Sequence, residues 1–159
     1  MLNYAELENL KKRIKRYPSQ YRQEYWGYGP KSFVVKDQKP ICGTAGCLAF
    51  NVVANNGYTL SKFDIEGETA MCQKDGEFFF YIRHKAVEIL GLTHDQSDEL
   101  FGGGSGGWSS RARQAYNTAK TPRQRAAAAV MAIDDFIAKY RAIEAYGTDL
   151  KSALYALGY

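Results

Sequence analysis

"TPRQRAAAAVMAIDDFIAKYRAIEAY", residues 121–146, decides the fold class. Thr121 stands three residues before Gln124, the spacing of a capping box, in which two side chains satisfy backbone N–H groups left over at a helix start. Pro122 falls at the first helical position, where a missing N–H costs nothing. Val130, Ile133, Ile137, Tyr140 and Glu144 set a helical register, and the run Ala126 to Ala129 lets another helix come close. The pattern predicts a helix over about residues 122–145, the longest in the chain.

Helical periodicity dominates elsewhere too. Leu7, Leu10, Ile14 and Tyr17 mark a first helix over about residues 3–16, ended by Pro18. Lys11, Lys12, Arg13, Lys15 and Arg16 fill most of its other face, near the end that favours cations. In "GTAGCLAFNVVANNG" (43–57), Thr44 is placed to cap a second helix and Gly57 to stop it. That helix is apolar nearly all round, so it should be central. "FFFYIRHKAVEILG" (78–91) reads as a third helix, and Thr93 with Gln96 forms another capping box. "SSRARQAYNTAK" (109–120) reads as a short basic helix and "DLKSALYALGY" (149–159) as a closing amphipathic one. "YTLSKFDI" (58–65) and "ETAMCQ" (68–73) suit a small hairpin or a loose flap, "SFVVK" (32–36) a short strand, and "KDGE" (74–77) holds an Asp-Gly turn signal. The expected fold is mainly α: a single compact helical domain over residues 1–159, with six to seven helices and at most a small β-hairpin.

Bulk properties bound the function. At 159 residues the chain can bury enough surface to need no disulfide staple. The net charge of +4 favours anionic partners without the charge density of a DNA-coating protein. Three cysteines fit a reducing cytoplasm better than a secreted disulfide framework. Met1 leads into a charged amphipathic segment rather than a signal peptide, and no apolar run approaches the ~20 residues of a membrane span. The expectation is a cytoplasmic protein, bacterial or in an infected host cell.

Candidate chemistry gathers at "PICGTAGCLAF" (40–50). A cysteine just before a helix start sits in positive potential that favours thiolate. Cys42 is thus a candidate nucleophile, with His84 as base; the competing reading is a buried structural cysteine. Cys42, Cys47, Cys72 and His84 are the available zinc ligands, but no second pair closes such a site. No metal and no cofactor are expected. Gly43, Thr44 and Gly46 could instead leave main-chain donors open to phosphate or carboxylate, unless Thr44 alone satisfies them.

Three further features bear on binding. Tyr25 and Trp26 lie in an aromatic-basic stretch (17–31) that suits base stacking or a core cap. "GGGSGG" (102–107) follows a helix rather than a strand, so it is no dinucleotide fingerprint; it reads as a linker or a ligand-gripping loop ahead of Trp108, Arg111 and Arg113. Asp134 and Asp135 are adjacent on a helix, do not face each other, and read as a solvated face.

The order of "CGTAGCLA" (42–49), "AVEILGLTHDQSDELF" (86–101), a Gly/Trp loop and "TPRQRAAAAVMAIDDF" (121–136) resembles a family of small uncharacterised bacterial and phage proteins. Its members carry a Cys-Gly-Thr-x-x-Cys-(Ile/Leu)-Ala helix start and a Leu-Gly-Leu-(Ser/Thr)-x-x-Gln-x-x-x-Leu-Phe segment. The likeness covers roughly residues 17–140. Phe50 and Asn51 depart from it, where members tend to have Gly and an aromatic or His. The resemblance implies a phage or bacterial context and no particular reaction.

No constellation supplies nucleophile, base and orienting group together, so binding outranks catalysis. The leading expectation is a non-enzymatic protein that binds a small anionic, nucleotide-type ligand through Tyr25, Trp26, Gly43, Thr44, Gly46, Trp108, Arg111 and Arg113. In a phage, such a protein could serve anti-defence by sequestering a nucleotide immune signal of the host. The alternatives are a Cys42-dependent enzyme and an adaptor that binds a host protein or nucleic acid through the basic first helix. No membrane partner is expected, and self-association stays open.

Overall fold

A computed structural model describes residues 1–23, 47–63, 70–79, 81–102 and 107–147. The protein is mainly α. Its elements run α1 (Tyr4–Arg16), a 3-10 turn (Pro18–Gln20), α2 (Leu48–Asn55), β1 (Thr59–Phe63), β2 (Ala70–Lys74), β3 (Glu77–Phe79), α3 (Ile82–Leu90), α4 (His94–Phe101), α5 (Ser110–Thr118) and α6 (Pro122–Tyr146). The expected strand at 32–36 and closing helix at 149–159 lie outside the described residues.

Local chemistry sets most boundaries. Both capping boxes form, with Thr93 accepting from the Gln96 N–H and Thr121 from the Gln124 N–H, and the Gln side chains accepting in return. The Asn3 side chain caps α1 by accepting from the Glu6 N–H. Gly57 (φ +80°) ends α2: its N–H donates to the Ala54 carbonyl and the Tyr58 N–H to that of Val53, the paired bonds of a left-handed helix stop.

α2 is the axis of the core. Every residue from Leu48 to Ala54 is buried. α1 covers it with Leu7, Leu10 and Ile14, while α3 packs on another side. α6 lies against α1 and α5 and contributes Ile133, Phe136 and the small Ala126, Ala128 and Ala129. An α2 side chain such as Phe50, fully buried, contributes about 2–3 kcal/mol by leaving water.

Five sequence expectations are corrected. α2 starts at Leu48 with Cys47 as N-cap, not at Thr44. The hairpin gains a third strand in an antiparallel sheet of order β1-β2-β3, with Cys72 opposite Phe79 and Lys74 opposite Glu77. Phe78 and Phe79, read as helical, form that strand, because Asp75 (φ +53°) and Gly76 (φ +85°) fold it back on β2. Of the adjacent Asp134 and Asp135, only Asp134 is exposed, pairing with Lys11 at 2.5 Å; the Asp135 carboxylate, 9% exposed, is instead clasped by Nε and Nη2 of Arg111 and by the Ser109 hydroxyl. Finally, Lys11, Lys12, Arg13, Lys15 and Arg16 do not all belong to the outer face of the first helix. Arg13 is 3% exposed, and Lys11 is tied to Glu8 and Asp134.

Candidate functional site

The described part of the helix-start corner is closed. Cys47 and Leu48 are buried, and the Leu48 N–H donates to Gln23 Oε1 at 3.3 Å. Gln23 is a hub that sequence reasoning missed. Its Oε1 also accepts from the Tyr21 hydroxyl (2.9 Å), and its Nε2 donates to the Phe101 carbonyl (2.9 Å). One side chain thereby serves the N-terminus of α2 and the C-terminus of α4, both of which carry unsatisfied main-chain groups. No local motif marks this role, since the partners lie 25 and 78 positions away.

Trp108 belongs to the same packed region. It is 5% exposed, and its indole N–H donates to the Leu100 carbonyl at 3.0 Å. Its ring meets Tyr116 edge-on at 5.6 Å, and Tyr116 meets the buried Tyr21 at 6.0 Å. Gly107 permits this docking, because any β-carbon there would collide with the Glu99 carbonyl. Trp108 thus acts as core and as a cap for α4. Arg111 is committed to Asp135, and Arg113 lies half-buried on α5. Tyr25, Trp26, Cys42, Gly43, Thr44 and Gly46 lie outside the described residues. Of the described members of the expected site, Trp108 is therefore occupied by packing and Arg111 by pairing.

The described thiols are unsuited to nucleophilic work. Burial pushes the Cys47 thiol up to about 11, outweighing the main-chain N–H groups of Phe50 and Ala49 that pull it down. Burial pushes Cys72 up to about 11 as well, with Lys85 opposing. Both are free. His84 is exposed and lies beside the Tyr81 ring at 5.0 Å. Among the described residues, no three His, Cys, Asp or Glu side chains group to hold a metal ion. No helix among them is long and apolar enough to cross a membrane.

An open groove of about 720 Å³ lies along α1. The helix contributes Glu6, Asn9, Lys12, Arg13 and Arg16, with Tyr17 just beyond it. Spacings of three and four residues put these on one face. The C-terminal end of α2 adds Asn55, Asn56 and Gly57, and β2 adds Lys74. Four cations thus border a single depression. Lys12 and Arg16 are exposed. Arg13 instead extends inward, donating through Nε to Asn51 Oδ1 at 3.3 Å, while the Asn51 amide donates to the Cys47 carbonyl at 3.0 Å. Burial lowers Arg13 to about 10, against a raising effect of Tyr17, so it stays charged at neutral pH. The guanidinium groups of Arg13 and Arg16 lie 5.6 and 5.4 Å from the Tyr17 ring centre.

The groove is chemically graded. At one end the Glu6 carboxylate accepts from Asn9 Nδ2 (3.1 Å) and Asn56 Nδ2 (3.2 Å). Lys74 Nζ donates to the Asn56 carbonyl at 3.0 Å, which also satisfies a helix-end oxygen of α2. Arg13, Arg16 and Tyr17 crowd the other end. Ten residues of helix, from Glu6 to Arg16, separate the ends by ~15 Å.

Set against protein-family models, curated proteins and solved structures, the chain matches none of the three.

Proposed function

We propose that this is a non-enzymatic binding protein whose ligand is a small anion of nucleotide type, seated in the groove along α1. The observation that carries the reading is the groove itself, where Lys12, Arg13 and Arg16 of one helix border a depression beside the Tyr17 ring, with Lys74 of the sheet at its far end. Its volume falls in the range of small-molecule sites. The exposed Lys12 and Arg16 are available to phosphate oxygens, and Arg13 supplies a fixed cation whose rotamer is held from behind by Asn51. Arg13 and Arg16, 5.6 and 5.4 Å from one ring centre, repel each other, so an anion bound beside them relieves that cost. The phage setting and the sequestration of a host signal rest on the family resemblance carried by residues 42–49, 86–101, the Gly/Trp loop and 121–136.

The test is a thermal-shift screen of the full chain against mono-, di- and cyclic nucleotides and inorganic pyrophosphate. A ligand at ~100 times its dissociation constant adds about 2.7 kcal/mol. Lys12→Ala and Arg16→Ala, both on exposed side chains, should abolish the shift without lowering the ligand-free midpoint. Shifts that survive both substitutions would place the ligand elsewhere.

A second reading has specific support. Lys15 is exposed next to Lys12 and Arg16, which extends the basic face along α1 beyond the groove. A nucleic-acid backbone lying there would give affinity that falls steeply with salt, with a slope near −0.9 per phosphate neutralised on a duplex. A single nucleotide would show a much shallower dependence. A cysteine-dependent enzyme would have to work through Cys42, since Cys47 and Cys72 are held protonated at neutral pH.

A further inference from the structure

Resting on the groove reading above, we propose that the groove selects guanine among the nucleobases, with Glu6 reading the base while Lys12 and Arg16 hold the phosphate and the inward-turned Arg13 adds its charge from behind. A carboxylate is an acceptor only, with about four lone-pair positions over its two oxygens. At Glu6 one position on Oε1 is taken by the Asn9 amide and one on Oε2 by the Asn56 amide. Each oxygen keeps acceptor capacity, and the two amides fix the plane of the group. What such a carboxylate binds best is a pair of adjacent N–H donors. Guanine presents that pair on one edge, the ring N1–H and the exocyclic amino group at C2. Adenine presents one donor next to the N1 lone pair, which would face a carboxylate oxygen and be repelled.

Polarity along the groove fits the same molecule. Glu6 lies ~9 Å along α1 from Lys12 and ~15 Å from Arg16, separations that the long side chains of the two cations shorten toward the length of a mononucleotide. Reversing the ligand would put phosphate against the Glu6 carboxylate, at the end where the Lys74 ammonium is already held by the Asn56 carbonyl. The gradient therefore sets orientation as well as composition.

The experiment is calorimetric titration of the full chain at low salt with GMP, IMP, AMP and ribose 5-phosphate. It compares the parent protein with Glu6→Gln, Glu6→Asp and Arg16→Ala. GMP should bind about tenfold or more tighter than AMP. IMP, which keeps N1–H and lacks the amino group, should fall between. Glu6→Gln should erase the guanine preference while ribose 5-phosphate binds as before. Glu6→Asp keeps the charge but withdraws it, and should reduce the preference if Glu6→Gln fails to fold. Arg16→Ala should weaken all four ligands alike. Equal binding of GMP and AMP, both weakened by Arg16→Ala, would overturn the guanine inference and leave the groove reading standing. Absence of binding by all four would remove both.

Discussion

Replacing Gln23 with Met tests how the two helix ends are joined. The substitution keeps the length of the side chain and removes its polar atoms. Three hydrogen bonds disappear, those from the Leu48 N–H, from the Tyr21 hydroxyl and to the Phe101 carbonyl. A typical internal hydrogen bond contributes about 1 kcal/mol net, and more is lost where a main-chain group is left unpaired away from water. Leu48 is fully buried and Phe101 6% exposed, so water reaches neither group easily. The expected loss is about 3 kcal/mol, or roughly 6–12 °C in Tm for a chain of this size. Differential scanning calorimetry with a matched urea titration measures it. The slope of the urea transition should stay unchanged, because the surface exposed on unfolding is the same. A Tm within 2 °C of the parent would refute the view that Gln23 links α2 to α4.

Other outcomes follow from the same structure. Thr121→Ala removes the hydroxyl that caps α6 and should cost about 1 kcal/mol, read as a lowered Tm. Asp135 titrates below the usual carboxylate range: burial raises it, but hydrogen bonds from Arg111 and Ser109 and the Arg111 charge outweigh that. Its stabilisation should therefore be complete above the unfolded-state value and be lost as pH falls through the lower folded value, so Asp135→Asn should be less stable at pH 7 and begin to converge on the parent only as pH falls below about 4. In a Cys42→Ser background, Cys47 and Cys72 should resist an aromatic disulfide reagent in the native state and react on unfolding; immediate native labelling of both would contradict their burial.

Much of the fold was legible because its signals are local. The capping boxes at Thr93 and Thr121, and the helix stop at Gly57, depend on residues within a few positions of each other. The errors came where a distant residue decides, or where two local signals compete. Thr44 looks like a cap by sequence, yet the first N–H of α2 is served by Gln23 from another part of the chain. Phe78 and Phe79 continue an apolar pattern suited to a helix, but the turn at Asp75–Gly76 pairs them with β2. The same division holds for the site. Basic residues on α1 are visible in the sequence as a charged face, whereas the groove also needs Asn56 and Lys74, which only folding brings to it. Trp108 could be read either as a ligand wall or as core, and its partner, the Leu100 carbonyl, is invisible to periodicity.

The most direct test of the account is a map of backbone amide shifts on titrating GMP into the isotopically labelled full chain. The account expects the perturbed amides to cluster at Glu6–Tyr17, Asn55–Gly57 and Lys74, the borders of the groove. Perturbations centred on Gly43–Leu48 and Trp108–Arg113, with the α1 amides unmoved, would contradict it.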